Sequence, residues 1–82
     1  NPLIVRLHEH KEGNLLYVLN HGRTTEKARL TVAVPANGQY ELKEIISNRT
    51  IKVTASNKAI AFDTNEIGEK NVEVWLIKKT VD

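Results

Sequence analysis

Cysteine and methionine are both missing from this chain, and aromatic residues make up only 5% of it. Without cysteine there is no disulfide, no thiol nucleophile and no thiolate zinc site. So few aromatics cannot build a stacking platform for a single nucleic-acid strand. No apolar run approaches the ~20 residues of a membrane-spanning helix, and no signal-peptide pattern is present. Charge of one sign is also lacking in excess. Lys and Arg number 12 against 10 Asp and Glu, a formal net charge of +2. Both signs are interspersed. The densest basic stretches, Lys78-Lys79 and Arg23…Lys27…Arg29, fall far short of a nucleic-acid footprint. Neither nucleic acid nor membrane is therefore expected as a partner. The chain opens at Asn1 rather than at methionine, which reads as a domain cut from a longer protein.

What is present is a globular composition, 40% hydrophobic and 27% charged, on 82 residues. That supports one domain spanning 1–82, burying roughly 60–65% of its unfolded surface, with little core to spare for a deep pocket.

The dominant hydrophobic period is two. Leu3, Val5 and Leu7 alternate with Ile4, Arg6 and His8, before a turn at His10-Lys11-Glu12-Gly13. Leu15 to Leu19 is apolar on both faces, as in a strand covered on each side. Residues 26–34 alternate cleanly, with Ala28, Leu30, Val32 and Val34 inward and Lys27, Arg29 and Thr31 outward. Pro35-Ala36-Asn37-Gly38 ends that strand. Further strands are expected from Tyr40 to Ile46, Thr50 to Thr54, Ala59 to Asp63 and Asn71 to about Lys79, with turns at Ser47-Asn48-Arg49 and Ala55-Ser56-Asn57-Lys58. Seven short strands with closely spaced turns and no convincing helix predict an all-β antiparallel sandwich, immunoglobulin-like or Greek-key.

Catalytic chemistry finds little support. His8 and His10 would share one strand face, with His21 beyond, but ordinary surface histidines explain them and no metal is expected. The glutamates Glu9, Glu12, Glu26, Glu41, Glu44, Glu66, Glu69 and Glu73 are numerous enough for an acid pair. Such a pair needs a cleft that raises one pKa. Most of these residues alternate with apolar neighbours or sit in turns, as solvated side chains do. No serine has a glycine-framed elbow and no phosphate loop exists, so neither catalytic residues nor a cofactor are expected. Asn48-Arg49-Thr50 fits a glycosylation sequon, although asparagine also favours tight turns.

Trp75 is the most informative single residue. Its parity groups it with Glu73 and Ile77, opposite Val72, Val74 and Leu76, which read as the core face. On that reading Trp75 and Ile77 lie outside the sandwich. With Tyr17 they form a candidate surface for domain docking or sugar stacking. Apolar outer faces on two strands suggest a patch covered by another domain.

Three segments carry a resemblance. Leu15-Leu16-Tyr17-Val18-Leu19-Asn20-His21 resembles the apolar strand and Asn-His pair that open the C-terminal domain of family 42 β-galactosidases. Tyr40-Glu41-Leu42 through Ile45-Ile46-Ser47 resembles a strand and turn of that domain, and Val72 to Ile77 resembles its closing strand. The likeness spans about residues 13–79. The chain departs from the family at Glu66-Ile67-Gly68-Glu69-Lys70, where prolines are common, and at Asn48, which replaces a glycine. The resemblance implies an accessory sandwich of a glycoside hydrolase, packed on the catalytic part of the same parent chain. The two catalytic glutamates of such enzymes lie in a separate (β/α)8 barrel and match no residue here. A carbohydrate-binding module using Trp75 with Tyr17 or Tyr40, and an immunoglobulin-like protein-interaction module, are the alternatives.

Overall fold

The computed structural model describes residues 2–10 and 13–80, so the expected turn at residues 10–13 lies partly outside the described residues. The described residues form seven antiparallel strands: β1 (Leu3–His10), β2 (Gly13–Asn20), β3 (Arg29–Ala33), β4 (Gly38–Glu44), β5 (Arg49–Ala55), β6 (Ala59–Asp63) and β7 (Val72–Lys79). They form a five-stranded sheet in the order β1-β2-β7-β4-β5 and a two-stranded sheet, β3-β6. The chain is an all-β sandwich, as its period-two patterning predicts.

Turn chemistry sets where the strands stop. Asn48 has φ 62°, which asparagine tolerates better than most residues, so no glycine is required there. Asn57 and Lys58 both have positive φ, between the paired Ser56 and Ala59. Two consecutive left-handed residues match a type I′ hairpin, and this one leads the chain from β5 across to β6 in the other sheet. The third strand is shorter than 26–34 because Glu26 leaves it to bridge Ile67. The fourth stops at Glu44, before Ile45 and Ile46, which are both exposed.

Register assigns the faces. Leu16, Trp75 and Glu44 lie opposite one another across β2, β7 and β4, and all three are buried. The inner row continues through Val18, Leu42 and Ile77, capped from the second sheet by Val32, Ile60 and Phe62. Leu30 and Val32 face inward while Lys27 and Arg29 are exposed, as the alternation predicts. Phe62 meets Trp75 edge-on at 5.0 Å, joining the two sheets by a contact that adds about 0.5–1.5 kcal/mol beyond burial. The small sheet does not reach β1. Val5 and Leu7 lie on the inner side, opposite the buried Val18 and Leu16, yet stay exposed.

Candidate functional site

Among the described residues two carboxylates are buried inside the sandwich, Glu44 and Glu73. This corrects their reading as solvated side chains. Glu44 Oε1 accepts the Ser47 N–H at 2.6 Å and Oε2 accepts the Val74 N–H at 2.7 Å. Burial is the largest influence on its acidity and would raise its pKa. The backbone N–H groups of Ser47, Val74 and Ile46, with the Ser47 side chain, together outweigh burial and hold the carboxyl below its ordinary value. A carboxylate held ionised in this way is the opposite of a general acid. Glu73 Oε1 accepts the Trp75 indole N–H at 2.9 Å, and Oε2 accepts the Asn65 N–H at 3.2 Å. Each carboxylate thus ties strands and turns together. The open groove beside them is bordered by Ser47, Arg49, Asn65 and Lys70. Arg49 is engaged there, donating to Asn65 Oδ1 at 2.6 Å and lying 5.8 Å from the Trp75 ring centroid.

The sequence-derived surface is not assembled as expected. Trp75 is 0% exposed and Ile77 is buried beside it, so both belong to the core. The cause is the donor pairing of Glu73. With its oxygens hydrogen-bonded, Glu73 can occupy the inner face, and the whole strand flips by one position relative to the expected parity. Tyr40 is also buried, its hydroxyl donating to the Ala36 carbonyl at 2.8 Å. Tyr17 alone lies on the outer side, half-buried, with its ring 5.2 Å from His8 in an edge-on contact. Trp75, Tyr40 and Tyr17 therefore cannot form one sugar platform.

The flip leaves the Val72, Val74 and Leu76 side of β7 facing outward. Register builds this outer face in rows. Ile4, Leu19 and Val72 stand side by side, then Arg6, Tyr17 and Val74, then His8, Leu15, Leu76 and Lys43. The Ile45 N–H donates to the Val74 carbonyl at 2.8 Å, extending the second row by one more apolar residue. Ile4, Leu19 and Val72 are each 37% exposed. An apolar surface therefore covers the outside of β2 and β7, joined by Ile4 of β1 and by Ile45, with Val72, Val74 and Leu76 where the sequence reading placed Trp75 and Ile77; the rest of the outer side of β1 is Arg6, His8 and His10. His8 and His10 do share this face. Among the described residues no group of three or more His, Cys, Asp or Glu side chains is arranged to hold a metal ion.

Two further polar residues are buried, Asn20 and Thr64, and their burial is not read from the sequence. Asn20 Nδ2 donates to the Thr24 carbonyl at 2.7 Å and the Ile67 carbonyl at 2.9 Å, while its Oδ1 accepts the Gly22 N–H at 2.9 Å. Thr64 Oγ1 accepts the Ala28 N–H at 3.0 Å. Their only sequence signal is a polar residue at the end of an apolar strand.

No protein-family model matches this chain, and no curated protein matches it. Among solved structures, it is similar to an Anoxybacillus α-amylase whose structure was described as giving insight into a new glycosyl hydrolase subclass. The likeness is one of fold. The TM-score is 0.58 at 10% identity, covering 99% of this chain and 16% of the amylase chain. The sandwich thus resembles a small part of a glycoside hydrolase.

Proposed function

We propose that this domain is a non-catalytic accessory sandwich of a glycoside hydrolase, which docks on the catalytic part of the same parent chain and stabilises it. The observation that carries this reading is the apolar outer face of β2 and β7, extended by Ile4 of β1 and by Ile45. A contiguous exposed apolar patch on neighbouring strands marks an interaction surface. The fold likeness to a segment of a glycoside hydrolase supports the choice of parent. The finer assignment to a β-galactosidase of family 42 rests on the sequence segments around residues 15–21, 40–47 and 72–77. Sugar binding loses support because Trp75 and Tyr40 lie inside the sandwich.

The test is to blunt the face without disturbing the fold. Leu19→Gln with Val72→Thr alters a neighbouring, partly exposed pair on β2 and β7. The isolated domain should melt within a few degrees of the parent sequence. The full-length protein should lose about 1–3 kcal/mol of stability at the docked interface, following the burial value of two apolar side chains. Equal melting of the substituted and unsubstituted full-length proteins would overturn the reading.

A further inference from the structure

The outer face has a charge as well as an apolar centre. Among the described residues, Arg6, Lys43, Lys52 and Lys78 all project from it and are exposed, against a single carboxylate, Glu41. Glu41 lies opposite Lys52 on one side and Lys78 on the other. Elsewhere among the described residues cations and carboxylates are equal in number, so the excess positive charge sits on this one face. The cations also flank the apolar rows. Arg6 borders them on the β1 edge, Lys78 stands beyond Leu76 on β7, and Lys43 and Lys52 border them on the β4 and β5 side.

From this arrangement we infer that the surface docked on this face is a protein surface with an apolar centre rimmed by carboxylates. The inference rests on the docking reading above and specifies the partner's chemistry. Opposite charges around an apolar contact steer association and fix orientation, and like charges opposed across it are costly. A second copy of this chain is a poor occupant for the same reason. Two such faces brought together would place one cationic rim against another, in the surroundings where repulsion is screened least.

The introduced thiol of Val72→Cys reports whether the face is covered, because the domain has no cysteine of its own. Its labelling rate is followed by peptide mass spectrometry in the isolated domain and in the full-length parent protein, from about 0.05 to 1 M NaCl, where the screening length shrinks from over 10 Å to about 3 Å. The expected result is slow labelling in the full-length protein at low salt. Labelling should accelerate by about tenfold at high salt, and by a similar factor when Lys43→Glu and Lys78→Glu are added, corresponding to a tenfold weaker docking equilibrium. Lys43→Gln with Lys78→Gln should give an intermediate rate. Melting of each isolated domain shows that the surface substitutions leave the fold intact, and the salt series on the otherwise unchanged protein needs no charge variant at all. Protection that ignores both salt and charge reversal would overturn the carboxylate rim while leaving docking in place. Equal labelling of isolated and full-length proteins would overturn docking itself. Protection that grows with concentration in the isolated domain would assign the face to a second copy and refute the inference.

Discussion

Replacing Glu44 with glutamine changes almost no volume and tests whether this carboxylate is a structural fastener. Glu44 is 1% exposed and accepts two backbone N–H groups, one on each oxygen. The amide keeps one acceptor and turns an NH2 toward the other donor, so one charge-assisted bond is lost and a buried N–H is left facing another. The expected cost is about 2–4 kcal/mol. In a domain this size that lowers the melting temperature by about 10–25 °C. A pH signature accompanies it. The folded carboxyl titrates below its ordinary value of 4.5, so the unfolded chain takes up the proton first as the solution is acidified. The stabilisation is fully present above about pH 4.5 and is lost as pH falls from there through the lowered folded value. Urea unfolding from pH 7 to pH 3 should show this acid limb in the parent sequence and a flatter one for Glu44→Gln. A cost under about 0.5 kcal/mol with an unchanged acid limb would refute the fastener role.

Asn20→Ala should destabilise the domain by about 2–4 kcal/mol in denaturant titration, because the Thr24 carbonyl and the Gly22 N–H lose the Asn20 side chain and the Ile67 carbonyl is left with the Glu26 N–H alone. Trp75 emission should be that of a buried indole and should not shift with galactose, lactose or a galactan up to millimolar concentration; a saturable shift would reinstate sugar binding. The isolated domain should not hydrolyse nitrophenyl glycosides, and turnover abolished by Glu44→Gln or Glu73→Gln in a folded protein would overturn its non-catalytic reading.

Strand number and most boundaries are legible in the sequence because most strands alternate, β2 is a short apolar run, and the turns carry Asn, Gly, Pro or Ser. The face of β3 is legible for the same reason, since Lys27, Arg29 and Thr31 leave only one side apolar. The face of β7 is not. Val72, Val74 and Leu76 form the more aliphatic side, and the competing side contains Glu73. What decides between them is a hydrogen bond from Trp75 to Glu73 and another from Asn65, which do not show in hydrophobic periodicity. The candidate docking surface was legible only as an excess of apolar residues on β2 and β7, more than one core could bury. Its position awaited the register.

The strand order has a consequence for how the domain comes into being. β7 is the last strand in sequence, yet it sits in the middle of the large sheet, between β2 and β4. During synthesis the β1-β2 and β4-β5 hairpins emerge early but have no neighbour to join them. The sheet can close only when residues 72–79 leave the ribosome and slide between the two waiting pairs. Leu16 meets Trp75, and Tyr17 meets Val74, across most of the chain's length. Such long-range closure slows folding, to the millisecond-to-second range for β-rich domains. Until it happens, each half presents an unsatisfied strand edge to its surroundings. Assembly is therefore an event of the completed domain rather than of its growing N-terminal half, and removing only β7 should part the β1-β2 hairpin from the β3-β6 and β4-β5 pairs rather than leave a weakened sandwich.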